Sequence, residues 1–396
     1  MKAYIWSNGC LDNYLHEVII RIFLSKNGYA FTKNIRNADL IILNTCAFTQ
    51  DKENGSFDQV KYVAEIKKKR AVLIVGGCLP AINRERLATI FQGPTFSLTN
   101  INALDSILPG TKYKIKDISA LDVALAKKEH PHPEEKPIKR TPARRLEEIV
   151  AAIYEKHYAR DYLGNVFPIK ISTGCLGICS YCSERTAKGR LKSRRENQIL
   201  KDFKAGLKGG FSKFVLVADD LGAYGQDLKG TDIIRLLSKM VKIKGGFKIG
   251  LRNFNPEWML KYEGGLINVL KSGKISWIIT PIQSGSDKIL NLMRRKYKIG
   301  AVKKCLINIR NLFPEIKIIT HILVGFPGET AKDFNETLKM MEAVKFNLVY
   351  FYRFQGRPRT LAPLMTKQIS DRVKRARFFK ACAYWLSLLS ESGFNY

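Results

Sequence analysis

Three cysteines near the middle of the chain have the spacing expected of iron–sulfur ligands. Cys175, Cys179 and Cys182 form a Cys-x3-Cys-x2-Cys pattern, so one short loop can direct three thiolates at a common centre. Three protein ligands leave one iron of a [4Fe–4S] cluster open, and that iron can chelate the amino and carboxylate groups of S-adenosylmethionine. Electron transfer to this cofactor cleaves a C–S bond and produces a 5′-deoxyadenosyl radical. The spacing therefore predicts radical chemistry.

A zinc site and three incidental thiols are the alternatives for this loop. Structural zinc is usually held by four protein ligands, and no histidine lies near these cysteines. Tyr181 lies within the loop, and a strand-like apolar run over 169–172 precedes it. Ligands of parallel sheets gather at the carboxyl ends of strands, so this context favours the cluster.

A second group of cysteines is dispersed along the first eighty residues. Cys10, Cys46 and Cys78 each follow a predicted strand, so all three can meet at the carboxyl edge of one parallel sheet. Such a group could hold a second cluster whose open iron carries a sulfide or persulfide that is later donated. The alternative is three half-buried thiols, since unpaired cysteine is among the most buried residue types. Cys305 and Cys382 lie among apolar residues of predicted helices, and we interpret both as core residues.

The elements that position these cysteines alternate between strand and helix. In the first hundred residues this alternation predicts a small, doubly wound parallel sheet with helices on its faces. Beyond residue 167, six further apolar runs separated by helical stretches predict a partial (β/α)6 barrel. The predicted strands are 2–6, 39–43, 71–75, 169–172, 214–217, 247–251, 276–281, 316–324 and 348–352, and the predicted N-terminal helices are 13–26 and 57–69.

The length of 396 residues suits two or three domains of ordinary size. We expect an N-terminal domain over 1–127, a linker rich in proline and charge over 128–145, and a barrel domain over 146–396 that ends in a basic helix. No apolar run has the length needed to cross a bilayer, and the N-terminus lacks the pattern of a signal peptide. These features predict a soluble, cytoplasmic protein.

The charge balance indicates a polyanionic partner. The formal net charge is +32, from 67 basic and 35 acidic residues, which favours nucleic acid. The alternative is a lysine-rich composition with solvated faces. Two basic runs could track a phosphate backbone, although a solvated helix surface is the other interpretation of each. Their residues are Arg185, Lys188, Arg190, Lys192, Arg194 and Arg195 in the first run, and Arg372, Lys374, Arg375 and Arg377 in the second.

Taken together, the motifs of this sequence resemble those of the radical S-adenosylmethionine methylthiotransferases, over nearly the whole chain. Each motif alone is weakly specific, whereas their combination is highly specific. The matching motifs are Gly9-Cys10, Asn44-Thr45-Cys46-Ala47-Phe48, Gly77-Cys78, Ser172–Cys182, Val217–Gly225, Asn255-Pro256, Pro281–Asp287 and Gly325–Thr330.

The resemblance implies two [4Fe–4S] clusters and S-adenosylmethionine as cofactors. One S-adenosylmethionine methylates sulfur on the N-terminal cluster, and a second is cleaved at the other cluster. The radical removes a hydrogen from a substrate carbon, which then receives the methylthio group. The resemblance further implies a flavodoxin- or ferredoxin-type reductant, a sulfur donor and a monomeric enzyme. It implies that Tyr181, Asp219, Gln283 and Ser284 contact S-adenosylmethionine or substrate.

Within this family, the cysteine loop, Ala187–Leu191 and Gly222–Gly225 are similar to the archaeal and eukaryotic branch. That branch acts on N6-threonylcarbamoyladenosine at position 37 of tRNA, so we expect methylthiolation at C2 of this base or of a related modified adenosine. A methylthiotransferase acting on a protein or peptide side chain is one alternative. A non-catalytic iron–sulfur or zinc RNA-binding protein is another.

The sequence departs from the family pattern at three places. We expect the C-terminal RNA-binding TRAM domain to be absent, which favours a protein substrate, whereas the charge favours RNA. His321 stands where the family commonly has aspartate. Arg357-Pro358-Arg359-Thr360 replaces a more usual Arg-Pro-Gly-Thr.

Overall fold

The computed structural model divides the chain into two compact units. One unit contains Met1–His132, Ser183–Gly189 and Arg357–Arg359, and the other contains Pro133–Cys182, Arg190–Gly356 and Thr360–Tyr396. Most of the predicted linker lies outside the described residues. Those described are 1–9, 11–129, 146, 149–150, 152–154, 156 and 165–391. Within them, no helix combines the length and apolar character needed to span a membrane.

The first unit is built on a four-stranded parallel sheet with strand order β2-β1-β3-β4. Three strands confirm the predicted apolar runs. The short β2 was not predicted from the sequence, because it has only two residues and both are exposed. The strands are β1 Lys2–Ser7, β2 Ala30–Phe31, β3 Leu40–Thr45 and β4 Val72–Gly77.

Alternating side chains of this sheet enter two separate apolar cores. Ile41 and Val75 pack with Phe57 of helix α2 on one face, whereas Ile42 and Ile74 pack with residues of helix α1 on the other. Helices therefore cover both faces, as the doubly wound prediction requires. The helices of this unit are α1 Leu11–Lys26, α2 Gln50–Ile66, α3 Leu79–Ile82, α4 Arg84–Ala88, α5 Leu104–Ile107, α6 Ala120–Glu129 and α7 Glu184–Lys188.

Helix α2 begins seven residues before the predicted start. Its first turns carry few apolar residues, so hydrophobic periodicity did not reveal them. The start is determined by Thr49, whose side chain accepts a hydrogen bond from the backbone of Lys52, and by Asp51 and Glu53 in the first turn. N-capping and acidic residues near the helix N-terminus both stabilise such a beginning.

The second unit contains six parallel strands in the order β12-β11-β10-β9-β8-β5. This arrangement confirms the predicted partial barrel. Strand β5 lies at one edge of the sheet, where Pro168 can be accommodated. A short antiparallel pair, β6 and β7, flanks the cysteine loop. The strands are β5 Val166–Lys170, β6 Ser172–Thr173, β7 Lys192–Ser193, β8 Lys213–Val217, β9 Lys248–Leu251, β10 Ile275–Ile279, β11 Lys317–Val324 and β12 Leu348–Arg353.

Helices follow most strands of this sheet, and a long helix ends the described chain. In that last helix, α15, Trp385 is fully buried and its ring meets Phe351 of β12 at 6.2 Å. The helices of this unit are α8 Glu196–Lys208, α9 Ile233–Val241, α10 Pro256–Lys261, α11 Glu263–Leu270, α12 Asp287–Leu292, α13 Ile299–Leu312, α14 Ala331–Val344 and α15 Asp371–Glu391.

Candidate cluster sites and basic residues

The loop with the central cysteines is fixed at both ends by hydrogen bonds within its unit. At its start, the backbone N–H of Gly174 donates to the Asp219 carboxylate at 2.7 Å, and Gly174 has a φ of +80°. Toward its end, the buried Ser180 donates its hydroxyl to the Leu292 carbonyl at 2.7 Å. The Ser180 backbone also bonds Met293 and Ala362. The loop is therefore held in place at the carboxyl edge of the sheet.

Two of the sulfur atoms of this loop, those of Cys175 and Cys179, receive hydrogen bonds. The N–H of Gly177 donates to Cys175 Sγ at 3.1 Å. A Cβ at Gly177 would lie 3.2 Å from Cys175 Sγ and 3.7 Å from Cys179 Sγ, so both sulfurs lie against this glycine. The Arg295 guanidinium donates to Cys179 Sγ at 3.6 Å. All three cysteines are half-buried.

These three thiols fit an iron–sulfur cluster better than a single metal ion. In the part of the chain that the structure describes, no three His, Cys, Asp or Glu side chains converge closely enough to hold one ion. A cubane cluster is larger and spreads its cysteine ligands apart, and N–H donors to the sulfurs are typical of such sites. Burial and then the charge of Asp220 raise the pKa of Cys175 to about 12, so metal binding there would release a proton.

The residues predicted to contact the cofactor make different interactions in the structure. Tyr181 packs edge-on against Phe326 at 6.3 Å and belongs to a small apolar cluster. Asp219 accepts the Gly174 N–H. The buried Ser284 accepts a hydrogen bond from the Ser286 backbone at 3.2 Å. Their assignment as contacts of S-adenosylmethionine or substrate stays a prediction.

Gln283 has a backbone conformation unusual for its residue type. Its φ is +73°, a left-handed value that costs free energy for a residue with a side chain. The strand-like bonding continues through it, because its N–H donates to the His321 carbonyl and its carbonyl accepts from Leu323. Strain of this kind is concentrated at binding and catalytic sites, which supports the prediction for Gln283.

Two residues near the loop were not identified from the sequence. Asp220 is 4% exposed, and Trp258 Nε1 donates to its Oδ2 at 2.9 Å. Among the described residues, its Oδ1 has no hydrogen-bond partner, and burial raises the pKa of Asp220 to about 6. The second residue is Arg295. In both cases a neighbour of the same type, Asp219 or Arg294, precedes it in the sequence, so spacing alone did not distinguish the two.

The N-terminal site is formed at the ends of β3 and β4. Cys46 and Cys78 are 2% and 3% exposed. The Phe48 N–H donates to Cys46 Sγ at 3.4 Å, and the Cys46 N–H donates to Asn8 Oδ1 at 2.8 Å. The Cys78 N–H donates to the Thr45 carbonyl at 2.8 Å, which joins the two strand ends.

Two thiols at neighbouring strand ends agree with the predicted second cluster, and the N–H donor to Cys46 suits a cluster ligand. The two described thiols, those of Cys46 and Cys78, therefore fit an iron–sulfur cluster. The third predicted ligand, Cys10, lies outside the described residues. Cys305 and Cys382 are fully buried on α13 and α15, as expected of core residues.

The first basic run is divided between the two units. In the first unit, Lys188 is 3% exposed and pairs with Asp12 at 2.6 Å and Glu184 at 3.1 Å. The prediction that Lys188 contacts a phosphate is therefore wrong for this structure, because its ammonium group is buried against two carboxylates. Arg185 is half-buried in the same unit.

Four residues of this run belong to the second unit. Arg190, Lys192 and Arg195 are exposed, which suits the predicted phosphate contacts. Arg194 is half-buried, and its guanidinium pairs with Asp202 at 2.8 Å. RNA contact by these residues stays a prediction.

Two basic residues of helix α15 contact other residues of their own unit. Arg377 pairs at 2.6 Å with Glu329, whose side chain is 1% exposed. Lys374 lies with its ammonium group 5.5 Å from the centre of the Phe354 ring. Only Arg372 and Arg375 of the four predicted phosphate contacts are exposed. Lys374 and Arg377 are corrected here to residues that attach the helix to its own unit.

His321 lies on β11 between two tyrosines of β12. Its ring meets Tyr350 at 5.3 Å and Tyr352 at 5.6 Å, both edge-on. Burial, and then the positive charges of Arg252 and Arg295, lower the pKa of His321 to about 3. The imidazole that replaces the usual aspartate is therefore neutral at physiological pH.

Two family descriptions cover much of the chain. Residues 169–341 match the Radical SAM superfamily. Residues 2–97 match the family described as uncharacterized protein family UPF0004. The first range contains the central cysteine loop, and the second contains all three N-terminal cysteines.

Curated relatives extend this similarity over almost the whole chain. A ribosomal protein uS12 methylthiotransferase RimO from Protochlamydia amoebophila is 31% identical, over 96% of this chain and 75% of that protein. A probable threonylcarbamoyladenosine tRNA methylthiotransferase from Pyrococcus horikoshii is 28% identical, over 91% of this chain and 79% of that protein. The human threonylcarbamoyladenosine tRNA methylthiotransferase is 29% identical, over 95% of this chain and 61% of that protein.

Solved structures share the fold. The radical S-adenosylmethionine methyltransferase TsrM from Kitasatospora setae, with cobalamin and a [4Fe–4S] cluster bound, has a TM-score of 0.56. It is 12% identical, and the match covers 91% of this chain and 76% of TsrM. At this identity the likeness concerns the fold alone.

Proposed function

Because the chain belongs to the radical S-adenosylmethionine methylthiotransferases, which use S-adenosylmethionine and two [4Fe–4S] clusters, we propose that it modifies tRNA. The enzyme transfers a methylthio group, and the proposed acceptor is C2 of N6-threonylcarbamoyladenosine at position 37. The observation that carries the RNA assignment is the net charge of +32, which suits a polyanionic substrate. The similarity to archaeal and human tRNA methylthiotransferases supports it.

The site residues have separable roles in this proposal. Cys175, Cys179 and Cys182 hold the cluster at which S-adenosylmethionine is cleaved, and Asp219 fixes the start of their loop through Gly174. When bound, the clusters and S-adenosylmethionine supply the one-electron chemistry and the methyl group of the reaction.

In the first unit, we propose that Cys46, Cys78 and Cys10 hold the second cluster. Asn8 and Thr45 accept hydrogen bonds from the backbone N–H groups of Cys46 and Cys78, which orients both thiols at the sheet edge. In the second unit, Arg190, Lys192 and Arg195 are proposed to contact tRNA phosphates.

The test is mass spectrometry of total tRNA nucleosides from cells with and without the gene. We expect a methylthio-modified threonylcarbamoyladenosine that disappears without the gene and returns with the wild-type chain. Cys179→Ala should not restore it. Cys305→Ala is the matched control, because Cys305 is a buried helical residue, and it should restore the nucleoside. Unchanged nucleosides in the deletion strain would contradict the tRNA assignment.

A protein substrate is the second candidate. It is favoured by the similarity to the relative from Protochlamydia amoebophila, which is named for ribosomal protein uS12. Peptide mass spectrometry of ribosomal proteins from the same strains distinguishes the two candidates. A gene-dependent methylthio mass on a ribosomal peptide, with unchanged tRNA nucleosides, would select the protein substrate.

A further inference from the structure

Arg295 is held by hydrogen bonds on every side of its guanidinium group. It lies in the segment between α12 and α13. Nη2 donates to the Pro281 carbonyl at 2.7 Å and to Asn255 Oδ1 at 3.1 Å. Nε donates to the Tyr297 hydroxyl at 3.1 Å, and Tyr297 in turn donates to the Ile282 carbonyl. The planar fork of an arginine bound in this way has little freedom to reorient.

The remaining side of the group faces a predicted cluster ligand. Nη1 donates to Cys179 Sγ at 3.6 Å. The acceptors of the other three bonds are an amide oxygen, a carbonyl oxygen and a phenol oxygen, which are neutral. Among these hydrogen-bond partners, only the sulfur of Cys179 becomes anionic when it ligates iron. Asp220 also lies in the field of Arg295, but its carboxylate bonds Trp258.

We propose that Arg295 is a positioning residue that sets the reduction potential of the cluster held by Cys175, Cys179 and Cys182. This inference goes beyond the proposed substrate, but it rests on the proposed assignment of these cysteines as cluster ligands.

The physical reason is charge. Reduction adds one electron to the cluster and breaks no bond, so the cluster and its thiolates become more negative by one unit. A hydrogen bond to a ligand sulfur and a fixed positive charge stabilise the reduced form more than the oxidised form, which raises the potential. The electron comes from a low-potential, one-electron donor.

The experiment is a redox titration of the anaerobically reconstituted chain in the absence of substrate, and electron paramagnetic resonance follows the reduced cluster. A Cys46→Ala/Cys78→Ala background isolates the central cluster. Three variants are compared in it. Arg295→Met removes the charge and the donors at similar length, whereas Arg295→Lys keeps the charge and loses the fork. Arg294→Met is the control, because Arg294 is the exposed neighbour.

We expect Arg295→Met to lower the equilibrium constant for reduction at least tenfold, which is 59 mV for a one-electron couple. Arg295→Lys should lower the reduction potential by a smaller amount, and Arg294→Met should leave the potential unchanged. An unchanged potential in Arg295→Met, with iron content retained, would overturn the proposal. Equal shifts of the potential in Arg295→Met and Arg294→Met would also overturn it. The loss of any positive charge near the cluster would then explain the shift.

If Arg295→Met loses its iron, Arg295→Lys decides the question. A lower reduction potential in Arg295→Lys supports the proposal, and an unchanged potential overturns it. The two proposals fail in different ways. A wrong tRNA substrate does not alter a potential measured without substrate. A wild-type chain that binds no cluster would instead contradict the ligand assignment itself.

Discussion

At the scale of single residues, the cysteines differ in what surrounds their sulfur atoms. Cys175 and Cys46 receive backbone N–H groups, and Cys179 receives a guanidinium. Cys305 instead lies on the buried face of helix α13, which packs it away from solvent. Hydrogen-bond donors stabilise thiolates and their metal complexes, so these environments separate ligands from core cysteines.

Removal of one ligand should remove one cluster. We expect the reconstituted wild-type chain to hold about eight irons and Cys179→Ala about four, given two cubane clusters. Cys46→Ala should likewise hold about four. Iron and acid-labile sulfide analysis under anaerobic conditions checks this, with Cys382→Ala as the control that retains both clusters. Eight irons in Cys179→Ala would contradict the assignment of that cysteine.

His321 should make the stability of its unit depend on pH. Its folded pKa of about 3 lies below the ordinary value of 6.5, so the unfolded chain binds more protons between these values. The stability that the neutral His321 side chain contributes is therefore fully present above pH 6.5 and is lost as the pH falls toward 3. For one titrating group, the free energy of unfolding changes by at most about 1.4 kcal/mol for each pH unit.

This dependence can be measured by urea unfolding between pH 7.5 and 5, followed by the fluorescence of Trp258, Trp277 and Trp385 in the same unit. His321→Gln cannot titrate in this range, so its stability should fall less steeply with decreasing pH than that of the wild-type chain. Parallel curves for the two proteins would show that His321 does not carry the effect.

Arg359 explains how the chain tolerates a departure from the family pattern. The residue that replaces the more usual glycine has a φ of +58°, which glycine adopts without cost. Its guanidinium pairs with Glu85 in the same unit. The exposed ion pair offsets part of the backbone cost, since such pairs stabilise by at most about 1 kcal/mol.

At the scale of elements, helix α15 is attached to its unit by a buried charge. Arg377 bonds both the carboxylate and the carbonyl of Glu329 in the Gly325–Thr330 motif, and Glu329 also accepts the Gly325 N–H at 2.7 Å. Removal of the arginine leaves a carboxylate that is buried and loses its cation.

We therefore expect Arg377→Met to lower the free energy of unfolding by about 3–5 kcal/mol. Arg375→Met is the matched control on the same helix, because Arg375 is exposed, and it should change stability by less than about 0.5 kcal/mol. Urea unfolding of the two variants measures the difference. Equal free energies of unfolding for Arg377→Met and Arg375→Met would show that the ion pair with Glu329 does not anchor the helix.

At the scale of the whole molecule, the net charge of +32 predicts salt-dependent binding to RNA. Each phosphate contact releases counterions, so the logarithm of the binding constant falls linearly with the logarithm of the salt concentration. The structure distinguishes basic residues that are free to make such contacts from those, such as Lys188 and Arg377, that are bound internally.

Replacement of Arg190, Lys192 and Arg195 by glutamine should weaken tRNA binding and reduce the salt slope by about 0.9 for each lost contact. The matched control replaces three exposed lysines near the amino ends of strands in the same unit, which removes the same charge at the opposite sheet edge. These lysines are Lys213, Lys248 and Lys271. Binding measured between 50 and 200 mM salt checks the slopes, and identical slopes for both triple variants would place the RNA elsewhere.

The sequence by itself determined the two parallel sheets and placed Cys46, Cys78 and the central cysteine loop after strands of those sheets. Apolar runs with strand length, separated by helical periodicity, specify α/β units locally, and a cysteine that follows such a run must lie at the carboxyl edge. The resemblance to the methylthiotransferases added the cofactors, because its motifs combine into a pattern that no single run provides.

Only the tertiary structure decided what each of two like neighbours contacts. Asp219 accepts the Gly174 N–H of the cysteine loop whereas Asp220 accepts from Trp258, and Arg295 rather than its neighbour Arg294 donates to Cys179. It also turned Lys188 inward to Asp12, 176 positions away in the chain. The physical reason is that side-chain direction depends on local φ, bulges and distant packing partners, and residues adjacent in a loop have no periodicity from which that direction can be predicted.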